Sequence, residues 1–440
     1  MQRDTILELA RWKDKQNRKP LLVTGVRQCG KTYVLKAFGA QYFEDTAYIN
    51  FEGNKDVASI FSLNFDVARI VDELSSIILG KKIVPGKTLL IFDEIQECPL
   101  AITALKYFFE NMPDLHIICA GSLLGVELKA QGVSFPVGKV ERLFMFPMSF
   151  KEFVIADGGG ALLEGLEKLD KLQALPLLYT ARLEKYLQLY YIIGGMPEVV
   201  QTWVNTHDFA RAEAVQDMIL ADYESDFSKH APAELVPRIR AVWLSVPKQL
   251  AKENNKFIFS HVKEGARAKD FEEALEWLCD AGLTYKLELV TEPELPLSFC
   301  ADASYYKVYM NDVGLLRRKS NVYYKTILDG DENYIRFKGA LTENFVLTEL
   351  KNQNLPMYFW RSDNTAEVDF VTEWHGHIIP LEAKSADNTR AKSLRTFVSK
   401  YKPAQAFKLS LKNIGANPDG ATQVISLPLY VAYRAREYME

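Results

Sequence analysis

The stretch Gly25-Val26-Arg27-Gln28-Cys29-Gly30-Lys31-Thr32 has the spacing Gly-x-x-x-x-Gly-Lys-Thr, between an apolar run ending at Thr24 and a helical pattern beginning at Tyr33. Glycines at these positions let the backbone wrap closely around a phosphate, so that successive N–H groups face it. The following helix adds the positive end of its dipole. In such a loop Lys31 reaches the β- and γ-phosphate oxygens, and the Thr32 hydroxyl ligates Mg²⁺. The expected cofactors are therefore ATP and Mg²⁺, with Gly25, Arg27, Gln28, Cys29, Gly30, Lys31, Thr32 and Tyr33 around the nucleotide. Further on, Thr88-Leu89-Leu90-Ile91-Phe92-Asp93-Glu94 is an apolar strand run closed by two acids. Asp93 would hold the metal through water and Glu94 would polarise the attacking water, a pairing suited to hydrolysis and not only to binding. The run His116–Ala120 leads into Gly121-Ser122, where a serine beside the γ-phosphate would register its presence; an ordinary turn serine is the alternative. Arg142 is a candidate γ-phosphate-directed arginine, with a surface ion pair as its alternative, and acting in trans it would require an oligomer.

A second constellation lies near the end of the chain. Asp369, Glu382 and Lys384 stand in an Asp…Glu-x-Lys arrangement, with a turn through Trp374–His377 between them. Two strands joined there as a hairpin would bring Asp369 beside Glu382. Residues two apart in a strand face the same side, so Glu382 and Lys384 would point together. Two carboxylates can hold Mg²⁺, and a lysine can position or deprotonate water attacking a phosphodiester. A charged hairpin with a surface Glu–Lys pair is the plain alternative. The histidines His375 and His377 read as solvated turn residues.

These side chains need elements to carry them. Over residues 1–150 the apolar runs Leu21–Thr24, Ala47–Phe51, Thr88–Phe92 and His116–Ala120 are too short for helices. Each is followed by turn residues or a helical pattern, which predicts an α/β core with a parallel sheet and crossover helices. Residues 151–230 read as almost wholly helical, a helical lid, interrupted at Gly194-Gly195-Met196-Pro197. Over 231–300, a helix Ala268–Ala281, Gly282 as its cap and the strand-like Leu283–Val290 outline a winged-helix-like segment. Lys263, Arg267 and Lys269 at the start of its last helix suit phosphate contact, though a segment used for protein packing fits equally. Residues 301–440 return to α/β, with strand-like Met357–Arg361, Val368–Thr372, Ile378–Glu382, Ala406–Leu411 and Val424–Ala432.

Taken together, Gly25–Thr32, Leu90–Gln96, Phe146-Pro147-Met148-Ser149-Phe150, Gly194–Glu198, Lys307–Leu315, Lys338–Leu350 and Leu381–Ser385 resemble, in order and along nearly the whole chain, a family of prokaryotic AAA-superfamily ATPases with a nuclease-like C-terminal domain. The resemblance implies a RecA-like core, a helical lid, a winged helix and a restriction-endonuclease-like end domain of the PD-(D/E)xK type. It also implies that Glu343, on the helical segment Gly339–Leu350, is a further metal-binding acid beside Asp369 and Glu382, and that Ser122 occupies a sensor position. Where the family has a small residue beside a glycine and an arginine before the Pro-Met-Ser-Phe stretch, this chain reads Gly138-Lys139, which bears on Arg142.

Composition narrows the rest. At 440 residues the chain accommodates two to four domains, and its net charge of −4 supplies no global positive field to recruit nucleic acid. Five cysteines, odd in number and without a Cys-x-x-Cys pair, fit a reduced, cytoplasmic setting, and no apolar run is long enough to span a membrane. The function expected is an ATPase whose nucleotide cycle is coupled to DNA binding or cleavage by the end domain. The alternative is a nucleotide-controlled switch or scaffold whose end domain binds a protein or nucleic-acid partner without chemistry; a small-molecule kinase fits less well, there being no acceptor-substrate domain.

Overall fold

The computed structural model describes residues 1–121, 136–252, 256–265, 267–330, 335–362, 366–385 and 391–439. It divides into two compact units, one of residues 2–147 with 280–282 and one formed by most of the remainder.

The first unit is built on five parallel strands: β1 (Leu21–Gly25), β2 (Asp45–Asn50), β3 (Thr88–Asp93), β4 (His116–Ala120) and β5 (Glu141–Met145), in the spatial order β2-β3-β4-β1-β5. The central strands β3 and β4 are buried along their whole length. That is why they read as unbroken apolar runs: helices cover both faces of a parallel sheet. The edge strand β5 alternates exposed and covered residues, and its Glu-Arg-Leu-Phe-Met sequence did not stand out as a strand. On one side of the sheet Phe51, Phe61, Phe92 and Phe108 meet edge to face, at centroid separations of 5.4–6.3 Å. Burying rings of this size contributes on the order of 2 kcal/mol each.

The second unit holds an eight-stranded mixed sheet: β6 (Thr284–Val290), β7 (Ala301–Met310), β8 (Tyr358–Arg361), β9 (Glu367–Trp374), β10 (His377–Ala383), β11 (Gln405–Ser410), β12 (Gly415–Asp419) and β13 (Thr422–Pro428). Their order is β12-β13-β11-β10-β9-β8-β6-β7. Here the boundary expected at residue 300 falls inside a hairpin. The strand anticipated as part of a wing, β6, pairs antiparallel with β7 and parallel with β8. It is thus part of the same sheet as the C-terminal strands. The helices Leu177–Ile193, Pro197–Thr206, Phe209–His230 and Val236–Leu250 belong to this unit as well.

Four of the motif stretches meet in one buried knot of this unit. Met148 N–H donates to the Gly195 carbonyl at 2.6 Å, and the Asp312 carboxylate accepts from Gly195 N–H at 2.6 Å and Leu315 N–H at 2.8 Å. Tyr190 Oη donates to the Met148 carbonyl, and Glu349 accepts from Phe150 N–H. Glycine is required at 195, where a Cβ would lie 2.0 Å from the Met148 oxygen. Burial pushes the Asp312 carboxyl up to about 6, against the opposing pull of its backbone donors. No helix among the described residues is long and apolar enough to cross a membrane.

Candidate nucleotide site and a second acidic cluster

At the carboxyl end of β1 the chain enters the loop at Gly25, whose φ is +146°. A Cβ at Gly25 would sit 2.2 Å from the Met145 carbonyl oxygen of β5, so only glycine lets the two strands run side by side into the loop. Gln28 takes a left-handed conformation and Gly30 does the same before the helix Lys31–Tyr42 begins. The loop thus precedes directly the N-terminal end of a twelve-residue helix, where unpaired N–H groups and the dipole favour an anion. Lys31 is buried, and its ammonium donates to the Gly25 and Val26 carbonyls at 2.9 and 3.0 Å. Cys29 is buried beneath the loop, Arg27 is half-buried, and Tyr33 is 57% exposed.

The acids of β3 lie beside this loop. Thr32 Oγ1 donates to Asp93 Oδ2 at 2.8 Å, so the two expected metal-binding groups are in direct contact. Tyr48, near the end of β2, donates to the same oxygen at 2.8 Å. Burial and this contact with Asp93 hold the phenol above its ordinary pKa. Glu94 has φ +49°, an unusual conformation for a glutamate, and its carboxylate accepts from Gln96 Nε2 at 2.6 Å. Neither Tyr48 nor Gln96 was singled out from the sequence. Tyr48 sits on an unremarkable strand and Gln96 in a turn, and only the sheet order brings the former to Asp93.

Arg142 is not brought to the loop. It lies opposite Leu22 in the β1–β5 register, three residues before the Gly25–Met145 pair. At the usual rise that places it roughly 10 Å back along the strand. A parallel strand starting at Glu141 must present its second residue at the end of the sheet remote from the loop. Ser122 lies outside the described residues.

In the second unit the β9–β10 hairpin sets Asp369 next to Glu382, and Ala383 N–H donates to Asp369 Oδ2 at 2.8 Å. Lys384 spans the two acids, 2.6 Å from Glu382 Oε1 and 4.0 Å from Asp369 Oδ2. Burial, then the charge of Asp369, pushes the Glu382 carboxyl up to about 8. Glu343, on the helix Ile335–Asn352, accepts from Tyr309 Oη at 3.1 Å and lies 3.9 Å from the ammonium of Lys307. Burial pushes Glu343 up to about 7, Lys307 opposing the shift.

Lys307, only 1% exposed, pairs with Glu367 at 2.6 Å. Burial opposes its charge, but Glu343, Glu367 and Asp369 outweigh that and hold its pKa above the ordinary lysine range. Among the described residues no group of three or more His, Cys, Asp or Glu side chains is arranged to hold a metal. Glu343 lies instead beside a buried lysine that sequence spacing did not flag. Asp369 and Glu382 remain a pair. Trp360 is buried with its Nε1 on the Thr291 carbonyl, and Arg361 donates to Tyr305. His375 and His377 are exposed.

Residues 17–154 match a family described as an AAA domain. Residues 184–325 and 338–430 match two domains of unknown function, DUF8612 and DUF4143. No curated protein matches the chain. Among solved structures, the chain is similar to the Walker-type ATPase PABY2304 of Pyrococcus abyssi, at 16% identity and a TM-score of 0.45, over 72% of this chain and 94% of that one. It is also similar to the ORC2 protein of Aeropyrum pernix, at 11% identity and a TM-score of 0.38, over 74% and 94% of the two chains. The residues matched to the AAA-domain family, 17–154, fall almost wholly within the first unit and include the Gly25–Thr32 loop and the Thr32–Asp93 contact.

Proposed function

We propose that this protein hydrolyses Mg-ATP at the Gly25–Thr32 loop and couples that cycle to action on DNA by the domain that holds Asp369, Glu382 and Lys384. The observation that carries the ATPase reading is the direct contact of Thr32 with Asp93, with Glu94 next along the chain. A hydroxyl and a carboxylate in contact beside a phosphate-binding loop are a donor set that suits Mg²⁺, and Thr32 and Asp93 would hold it. The bound ion would neutralise charge developing on the phosphates. Lys31 binds and orients the β- and γ-phosphates, and Glu94 takes the proton of the attacking water. The backbone N–H groups of Gly30 and Lys31 bind the phosphate oxygens.

For the second unit, the supporting observation is the juxtaposition of Asp369, Glu382 and Lys384. Among the described residues Glu382 Oε2 is buried with no hydrogen-bond partner, an acceptor that a divalent cation would satisfy. Asp369 and Glu382 would hold that ion, which would polarise a phosphodiester oxygen, and Lys384 would position the water. ATP turnover measured with and without single- and double-stranded DNA, with Lys31→Ala as blank, tests the coupling. Incubation of DNA with Mg²⁺ tests cutting. Cleavage by Asp369→Ala equal to that of the wild type, or no cleavage at all, removes the nuclease part.

A second reading is favoured by the two lysines that neutralise the cluster. Lys307 and Lys384 already pair with its acids, as in a domain that binds a partner without chemistry. Turnover stimulated by a protein partner and indifferent to DNA would select this nucleotide-controlled switch. Assembly into a homo-oligomer belongs to either reading, since an arginine acting in trans must come from a neighbour.

A further inference from the structure

Each peptide unit of a phosphate-binding loop has two ends. The N–H faces the anion, and the carbonyl of the same unit points away into the protein, where its own partner sets how strongly the N–H can donate. For the peptide joining Cys29 to Gly30, that partner is an arginine from the start of the chain. Arg3 is 4% exposed, and its Nη1 donates to the Cys29 carbonyl at 2.9 Å. Its Nη2 donates to the Phe146 carbonyl at 2.7 Å. Phe146 follows Met145, the residue whose backbone crowds Gly25 at the other end of the loop. One planar guanidinium therefore ties the Cys29–Gly30 peptide to the residue that follows the strand confining the loop's first residue. The helix that follows, Thr5–Lys13, anchors Arg3 in place: Leu9 and Trp12 are buried, and Trp12 Nε1 donates to the Lys19 carbonyl at 2.9 Å.

We propose that Arg3 is a positioning residue of the nucleotide site, holding the loop closed and polarising the Cys29–Gly30 peptide so that Gly30 N–H binds phosphate more strongly. The guanidinium suits this task because it carries a permanent charge and several fixed donors, enough for two carbonyls at once. A lysine offers a compact ammonium and cannot span both with the same geometry. The inference rests on the loop's being a nucleotide site.

The test is nucleotide affinity and turnover of the full chain with Arg3→Met, Arg3→Lys and Arg3→Ala. Loss of a charge-assisted hydrogen bond aimed through one peptide should weaken ADP and ATP binding about tenfold in Arg3→Met. The KM for ATP should rise by a similar factor while kcat changes less than about threefold, because Arg3 touches neither Glu94 nor the attacking water. Arg3→Lys should recover part of the affinity, and guanidinium ion added at non-denaturing concentration should tighten ADP binding to Arg3→Ala but not to the wild type. Far-UV circular dichroism of each variant separates loss of fold from loss of affinity. Wild-type affinity in Arg3→Met, or weakening that only follows the unfolded fraction, overturns the proposal. Failure of the wild-type protein to bind either nucleotide sinks the nucleotide site itself, and this inference with it.

Discussion

His116 opens β4 in the first unit and is 8% exposed, with Trp12 and Phe43 edge-on to its ring at centroid separations of 5.9 and 4.9 Å. Burial, reinforced by the charge of Arg18, pushes the imidazole down to about 4. The unfolded chain titrates this side chain near the ordinary value of about 6.5. The sign follows directly. Above pH 6.5 both states are neutral and the contribution of His116 is intact; as pH falls towards 4 the unfolded state takes a proton that the fold refuses. Stability is therefore lost on acidification, by about 2 kcal/mol at pH 5 and approaching about 3 kcal/mol at pH 4. Replacing His116 by glutamine removes the titration and keeps a polar side chain of similar size. Hydrogen exchange of the β4 amides at pH 7.5 and 5, corrected for intrinsic rates, reads the free energy of opening of this unit without requiring the whole chain to unfold in two states. The wild type should lose about 2 kcal/mol more than His116→Gln between those pH values. Equal losses in both proteins would mean that the buried ring is not what couples this core to protons.

The remaining predictions concern the knot and Glu94. Gly195→Ala puts a methyl group against the Met148 carbonyl and should destabilise the second unit by on the order of 3 kcal/mol, visible as a lowered melting temperature or as insolubility. Gly339→Ala, where a Cβ meets nothing within 4 Å inside a helix, should instead be neutral or stabilise by up to about 1 kcal/mol. The Gln96 amide holds the Glu94 carboxylate at 2.6 Å, so Gln96→Leu should remove that restraint on the side chain and raise kcat for ATP roughly threefold or more with little change in KM. A fall in kcat would show that Gln96 aims Glu94 and does not restrain it. Turnover in Glu94→Gln should drop by at least about a hundredfold while ATP still binds, as measured by single-turnover and equilibrium binding assays.

Much of the first unit was legible in the sequence because its information is local. The glycines, Lys31 and Thr32 are consecutive, and the two acids close a strand whose apolar run is itself the sign of a central parallel position. The strand β5 was not legible. At an edge, half its residues face solvent, and alternation over five residues is weak against neighbouring polar segments. The hairpin that joins Asp369 to Glu382 was readable from its turn and spacing. The partition of the helical middle was not, because a sheet accepts strands from any part of the chain, and β6 pairs with β8 across a separation no periodicity reports.

By itself the sequence determined which residues could bind phosphate and metal, since loop conformation and side-chain chemistry are properties of a few adjacent residues. Only the tertiary structure decided what surrounds them. It placed Tyr48 on Asp93 and left Arg142 at the far end of its strand. It turned Lys307 into the partner of Glu343 and Glu367, and Arg3 into the donor behind the loop. Each of these depends on strand order, register or the docking of a distant segment, where the energy lies in contacts between residues that sequence distance keeps unrelated.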